Sequence, residues 1–171
     1  MGIAYTPAPM DGLTKRLTAL MFAIVAGCGV AAMILQGQDR LSFLRVFALL
    51  AVTMLGTYLV RPLKYEITDN AVNVHRSRPF GVAIIPLAGI KEVRMLKQGE
   101  WSLLWTLKLC ASNGCFGWLG WFWSRNLGIF WMSCTSSRGM ALLKNGRKYI
   151  ITPERPEEFV NEVRRRIGAA S

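Results

Sequence analysis

Two long apolar runs in the first third of the chain limit its possible folds more than any other feature. Leu17 to Leu35, LTALMFAIVAGCGVAAMIL, is nineteen residues without a charge, and as a helix it spans about 28 Å, the thickness of a bilayer core. After the five residues QGQDR comes Leu41 to Val60, LSFLRVFALLAVTMLGTYLV, whose one charge is Arg45. A guanidinium that near the start of a helix reaches the headgroups along its own aliphatic stem. Lys15 and Arg16 imitate the start of a cleaved signal peptide, but the first run exceeds the usual 7–15 residues of such a segment and a second run follows it. The pattern predicts a two-helix transmembrane hairpin over 17–60, with an N-terminal cytoplasmic segment over 1–16. Lys15, Arg16, Arg61 and Lys64 on the terminal side, against Arg40 and Arg45 at the turn, place both termini in the cytoplasm.

Residues 61–171, beyond the hairpin, have a different character. They hold 17 of the 21 Lys and Arg and 8 of the 10 Asp and Glu, for a net charge of +9. Beside an anionic leaflet each such cation is worth about 1 kcal/mol. Short β-patterned runs recur: Tyr65–Thr68, Ala71–His75, Val82–Ile85, Ile90–Leu96, Gly128–Met132, Met140–Leu143 and Lys148–Ile151. Asp69-Asn70, Pro79-Phe80-Gly81 and Asn145-Gly146 supply turns between them. The ending RPEEFVNEVRRRI predicts an amphipathic helix: Pro156 at a first helical position, acids near the start, arginines near the end, and Phe159, Val160, Val163 and Ile167 on one face.

About seven antiparallel strands capped by one helix is the plan of a pleckstrin-homology barrel, and the words of the sequence agree with it. The stretches YEITDNAVNVHR, IPLAGIKEV, GCFGWLGWFWSRNLGIFWMSCT and YIITPERPEEFV, in that order, resemble the bacterial pleckstrin-homology (PH)-like domains, especially the group that follows a two-span hairpin. The resemblance runs from about Tyr65 to Ile167. It implies a mixed membrane and β fold in a bacterial inner membrane, and binding rather than catalysis. The chain departs from the family's mixed aromatic and polar loop by carrying Trp118, Trp121 and Trp123 there.

That stretch, the Trp/Gly-rich loop expected over 101–127, is the main candidate site. Trp101, Trp105, Trp118, Trp121, Phe122 and Trp123 have the composition of a membrane-interface or partner-binding patch. Packing inside the domain, insertion at the membrane surface and a protein contact all fit it, because a long apolar loop in water is an aggregation hazard. Arg76, Arg78, Lys108 and Arg125 are the candidate anionic-lipid contacts.

Signals for chemistry are sparse. His75 is the single histidine and has no adjacent carboxylate in sequence; Cys110, Cys115 and Cys134 lack the tight pairs of a zinc site. The glycines at 114, 117 and 120 lack the strand, lysine and helix start of a phosphate loop. No catalytic residue, cofactor or metal is expected, and the membrane tether argues against nucleic acid. A domain already held by two spans does not need lipid to recruit it, which favours a protein partner or a homo-oligomer, with anionic-lipid sensing as the alternative.

Overall fold

In the computed structural model, which describes residues 2–97, 99–101, 106–113 and 115–169, both apolar runs are helices. They are α1, Gly12–Ile34, and α2, Gly37–Val60, separated only by Leu35 and Gln36. Each is long and apolar enough to cross a membrane, and only 11% and 6% of their apolar windows are buried in the protein. A core helix of a soluble protein would hide that surface; these two present it outward, as lipid requires.

Helix α1 begins well before Leu17 because Asp11 caps it. One Asp11 oxygen accepts from Thr14 N at 2.8 Å, and the other accepts from Ser137 N at 2.7 Å and from the Ser137 hydroxyl. Burial pushes the Asp11 carboxyl up, but the hydrogen bonds from Ser137 and Thr14 outweigh it and hold the group at about 2. A carboxyl depressed in the folded state stabilises above its unfolded value of about 3.9, and that stabilisation is lost as pH falls toward about 2. Asp11→Ala is expected to cost about 1–2 kcal/mol at neutral pH and to flatten the acid loss in that window. Thermal unfolding of the full chain in mild detergent across this range tests both effects.

Among the described residues ten strands precede or succeed the hairpin. The first sheet has the order β1 (Ile3–Tyr5), β2 (Pro62–Ile67), β3 (Ala71–Arg76), β4 (Val82–Pro86), all antiparallel. The second has the order β5 (Glu92–Met95), β9 (Ala141–Asn145), β10 (Arg147–Ile151), β8 (Gly128–Cys134), β7 (Trp118–Ser124), β6 (Thr106–Asn113). The pair β8 and β10 is parallel and the others in this sheet are antiparallel. Helix α3, Pro156–Ala169, closes the chain.

The architecture is the PH-like one expected, built as an open sandwich of two sheets rather than a closed barrel. The three strands beyond the seven expected are β1, β6 and β7. The first was missed because Ile3–Tyr5 is too short to show a period, and only its pairing with Tyr65–Ile67 makes it a strand. That pairing has a topological consequence. The segment before the hairpin is stitched to the strand after it, so α1 and α2 are an insertion into the first sheet and both helix ends lie side by side. Pro7 bridges Pro153, Ala8 N donates to Thr152 O, and Thr135 donates to Ala8 O, so residues 3–11 belong to the domain and are not a loose leader.

Between the sheets, Tyr65, Ile67, Val72, Val74 and Ile85 meet Val93, Leu143 and Ile151, with Phe159, Val160 and Val163 of α3 closing the end and Ile167 packed beside them. The expected α3 face is the one that is buried. The Tyr65 hydroxyl donates to Ser133 O at 2.6 Å and ties one sheet to the other. A second cluster lies on the opposite face of the larger sheet: Trp118, Phe122, Phe130, Met132, Leu142 and Ile150.

Candidate interaction surface at the hairpin junction

The aromatic stretch expected as a loop is the strand β7, paired along its length with β6 and β8. Strand alternation sorts its side chains. Trp118 and Phe122 point into the second core and are buried, Trp121 is half-buried with Arg147 over its ring at 5.9 Å, and Trp123 is exposed. Trp101 packs edge-on to Trp118 at 5.1 Å. Trp105 lies outside the described residues. The five described aromatics therefore do not form one patch: Trp101, Trp118 and Phe122 serve the second core, and Trp121 and Trp123 lie on the other face of the sheet, the face that carries Trp131.

The glycines explain themselves once the strands are in place. A Cβ on Gly120, whose φ is 114°, would lie 2.8 Å from Ala111 Cα on β6, so only glycine permits this close strand approach.

The turn between β6 and β7 does something the sequence does not announce. Phe116, at φ 59°, projects into the mouth of the helical hairpin, edge-on to Phe22 at 6.1 Å and to Tyr58 at 5.2 Å. Phe116 N donates to Thr18 Oγ1 at 3.1 Å. Cys115, Phe116 and Met54 form a small core with Met21 and Val25 against it. Burial pushes the Cys115 thiol up, partly offset by a hydrogen bond with Thr57. The domain is thus docked on its own two apolar helices through one aromatic plug. The C-terminal end of α2 is equally fixed: Arg61 alone separates it from β2, its guanidinium lies 4.1 Å over the Tyr58 ring, and Ser77 N donates to Leu59 O at 3.2 Å.

The candidate cations divide into two places. Arg76 ends β3, half-buried beside α2, and Arg78 is exposed on the turn after that strand. Lys108 and Arg125 are exposed at the opposite end of the β6–β7 ribbon from the Phe116 turn. His75 has the carboxylate that its sequence neighbours do not provide: Glu66, across the β2–β3 pair, lies 2.7 Å from Nε2, and this contact holds the Glu66 carboxyl below its usual value. This pair sits on the outer face of the first sheet. Cys110 is exposed on β6, whereas Cys134 is buried, its Sγ donating to Ile150 O at 3.2 Å. Burial pushes that thiol up and makes it a poor nucleophile.

Sequence reasoning also missed Leu107, Leu109 and Ile129. Leu107 pairs with Trp123, and Trp123 with Ile129, so these side chains form a row across three strands. The alternation around Lys108 was the one available signal, and it lay in a stretch read as loop.

No curated protein and no solved structure matches the chain. The model of the bacterial PH domain family matches residues 63–167, which is the span from β2 to α3 and leaves out β1 and the helical hairpin. With that match over more than half its length and the two-sheet, helix-capped fold behind it, the chain belongs to the bacterial PH domain family.

Proposed function

We propose that this protein is a non-enzymatic, membrane-tethered PH domain that associates with a second copy of itself through the edge strand β6, in a bacterial inner membrane with the domain on the cytoplasmic side. The family is generally non-enzymatic. The observation that carries the reading is the exposed apolar surface that runs inward from that edge: on β6 Leu107 is 62% exposed and Leu109 55%, on β7 Trp123 39% and on β8 Ile129 58%. Among the described residues no strand pairs with the outer side of β6. An unpaired edge lined with large apolar side chains invites another chain. The hairpin holds each copy in the same two-dimensional layer, where tethering raises the effective concentration and a modest interface suffices. A closed two-fold dimer would cover the row on both copies at once.

The mass of the full chain, extracted gently into native nanodiscs and in mild detergent, tests this. A defined homo-oligomer is expected, with Trp123→Ser and Leu107→Lys each shifting it toward monomer. A stable monomer with no accompanying protein rejects the proposal, and a reproducible companion of another sequence would reassign the same face to an accessory-subunit role.

A further inference from the structure

The carboxylates of this chain are kept away from the β6 edge. Residues 101–153 contain no Asp or Glu, yet they carry Lys108, Arg125, Arg138, Lys144, Arg147 and Lys148. This stretch supplies β6, β7, β8, β9 and β10, so the one acid in the strands of the larger sheet is Glu92, on the far edge strand β5, with Arg94 and Lys144 against it. At the β6 end, Lys108 stands between Leu107 and Leu109, and Arg125 follows Trp123 by two residues; both cations are exposed. Neither is in an ion pair among the described residues.

The consequence for assembly rests on the self-association read above. Two copies that meet through β6 bring two carboxylate-free faces together. Pairing the whole strand Thr106–Asn113 antiparallel about a two-fold axis sets Lys108 opposite Ala111 of the second copy. The two Lys108 then stand three positions apart along the seam, about 10 Å, which is about the screening length at 0.1 M salt. The net charge of +9 on residues 61–171 of each copy adds to the repulsion. Burial of Leu107, Leu109, Trp123 and Ile129 is not weakened by the same salt. We propose that self-association through β6 is gated by ionic strength: the apolar surface supplies the attraction, and Lys108 and Arg125, with no carboxylate to meet, hold two copies apart until salt screens them.

The test measures dimerisation of the full chain in a non-ionic detergent by sedimentation equilibrium, between about 20 mM and about 400 mM sodium chloride. Association is expected to tighten at least about tenfold over that range. Lys108→Gln combined with Arg125→Gln is expected to dimerise well in dilute salt and to lose most of the dependence. Arg78→Gln combined with Arg138→Gln removes the same net charge from exposed positions outside the β6–β7 ribbon and is expected to keep it. Lys108→Glu mixed with the native chain in dilute salt is expected to give mixed dimers above their statistical share. A native chain that stays monomeric at every salt concentration removes the self-association reading and the gate with it. A dimer that Trp123→Ser breaks, but that does not tighten with salt, keeps the β6 contact and overturns the gate. Weakening with salt would overturn it too, by placing an acidic surface of the second copy against β6. Equal effects of the two double variants would overturn the role of Lys108 and Arg125 and assign the repulsion to net charge alone.

Discussion

Phe116→Ala is expected to loosen the globular domain from its own helices, at a cost of about 3 kcal/mol or more, the range for removing a buried phenyl ring. The ring is the shared neighbour of Phe22, Tyr58 and the small core around Met54. Hydrogen exchange in the full chain should speed up in the first turns of α1, where Thr18 accepts from Phe116 N, while the sandwich core around Tyr65 and Phe159 keeps its protection. Because Phe116 has φ 59°, Phe116→Gly should recover about 1 kcal/mol relative to alanine by relieving the backbone. Unchanged exchange in α1 in both variants would mean that the plug does not hold the two parts together.

Gly117→Ala is expected to be at least as damaging for a different reason. Gly117 has φ 134°, and a Cβ there would run into the carbonyl oxygen of Cys134, lie 3.1 Å from its carbon and 3.2 Å from Thr135 Cα. All three are backbone atoms, which cannot rotate away. Steric conflict added to a conformation that L-residues rarely adopt puts the loss at about 3 kcal/mol or beyond. Gly128→Ala is the control: its φ is 66°, but a Cβ meets nothing within 4 Å, so about 1–2 kcal/mol is expected. Denaturant unfolding of the two variants separates the clash from the conformational term, and equal losses would show that crowding at Cys134 is unimportant.

The two substitutions bear on the same feature. The β6–β7 turn carries the bulky residue that enters the hairpin, and the glycine beside it lets the turn pass under Cys134. Together they let a sheet edge approach the helical hairpin closely.

Length and hydropathy alone were enough to identify the hairpin, because a helix that must satisfy its backbone in lipid needs an unbroken apolar run and little else does. The strands β2, β3, β4, β5, β8, β9 and β10 were legible from alternation and turn residues, and α3 from its apolar stripe and end charges, since both patterns are local. The outcome for Trp118 to Trp123 was not legible. Alternation requires one polar face to show which side is buried, and here Trp118 and Phe122 on one face are matched by Leu119, Trp121 and Trp123 on the other. Only the positions of β6 and β8 decide that the first pair is core. The same holds for β1, for the Glu66 that meets His75, for the parallel β8–β10 pair and for the Phe116 plug: each joins residues far apart in the chain, and a contact of that kind is set by the packing of whole elements and leaves no period in the sequence.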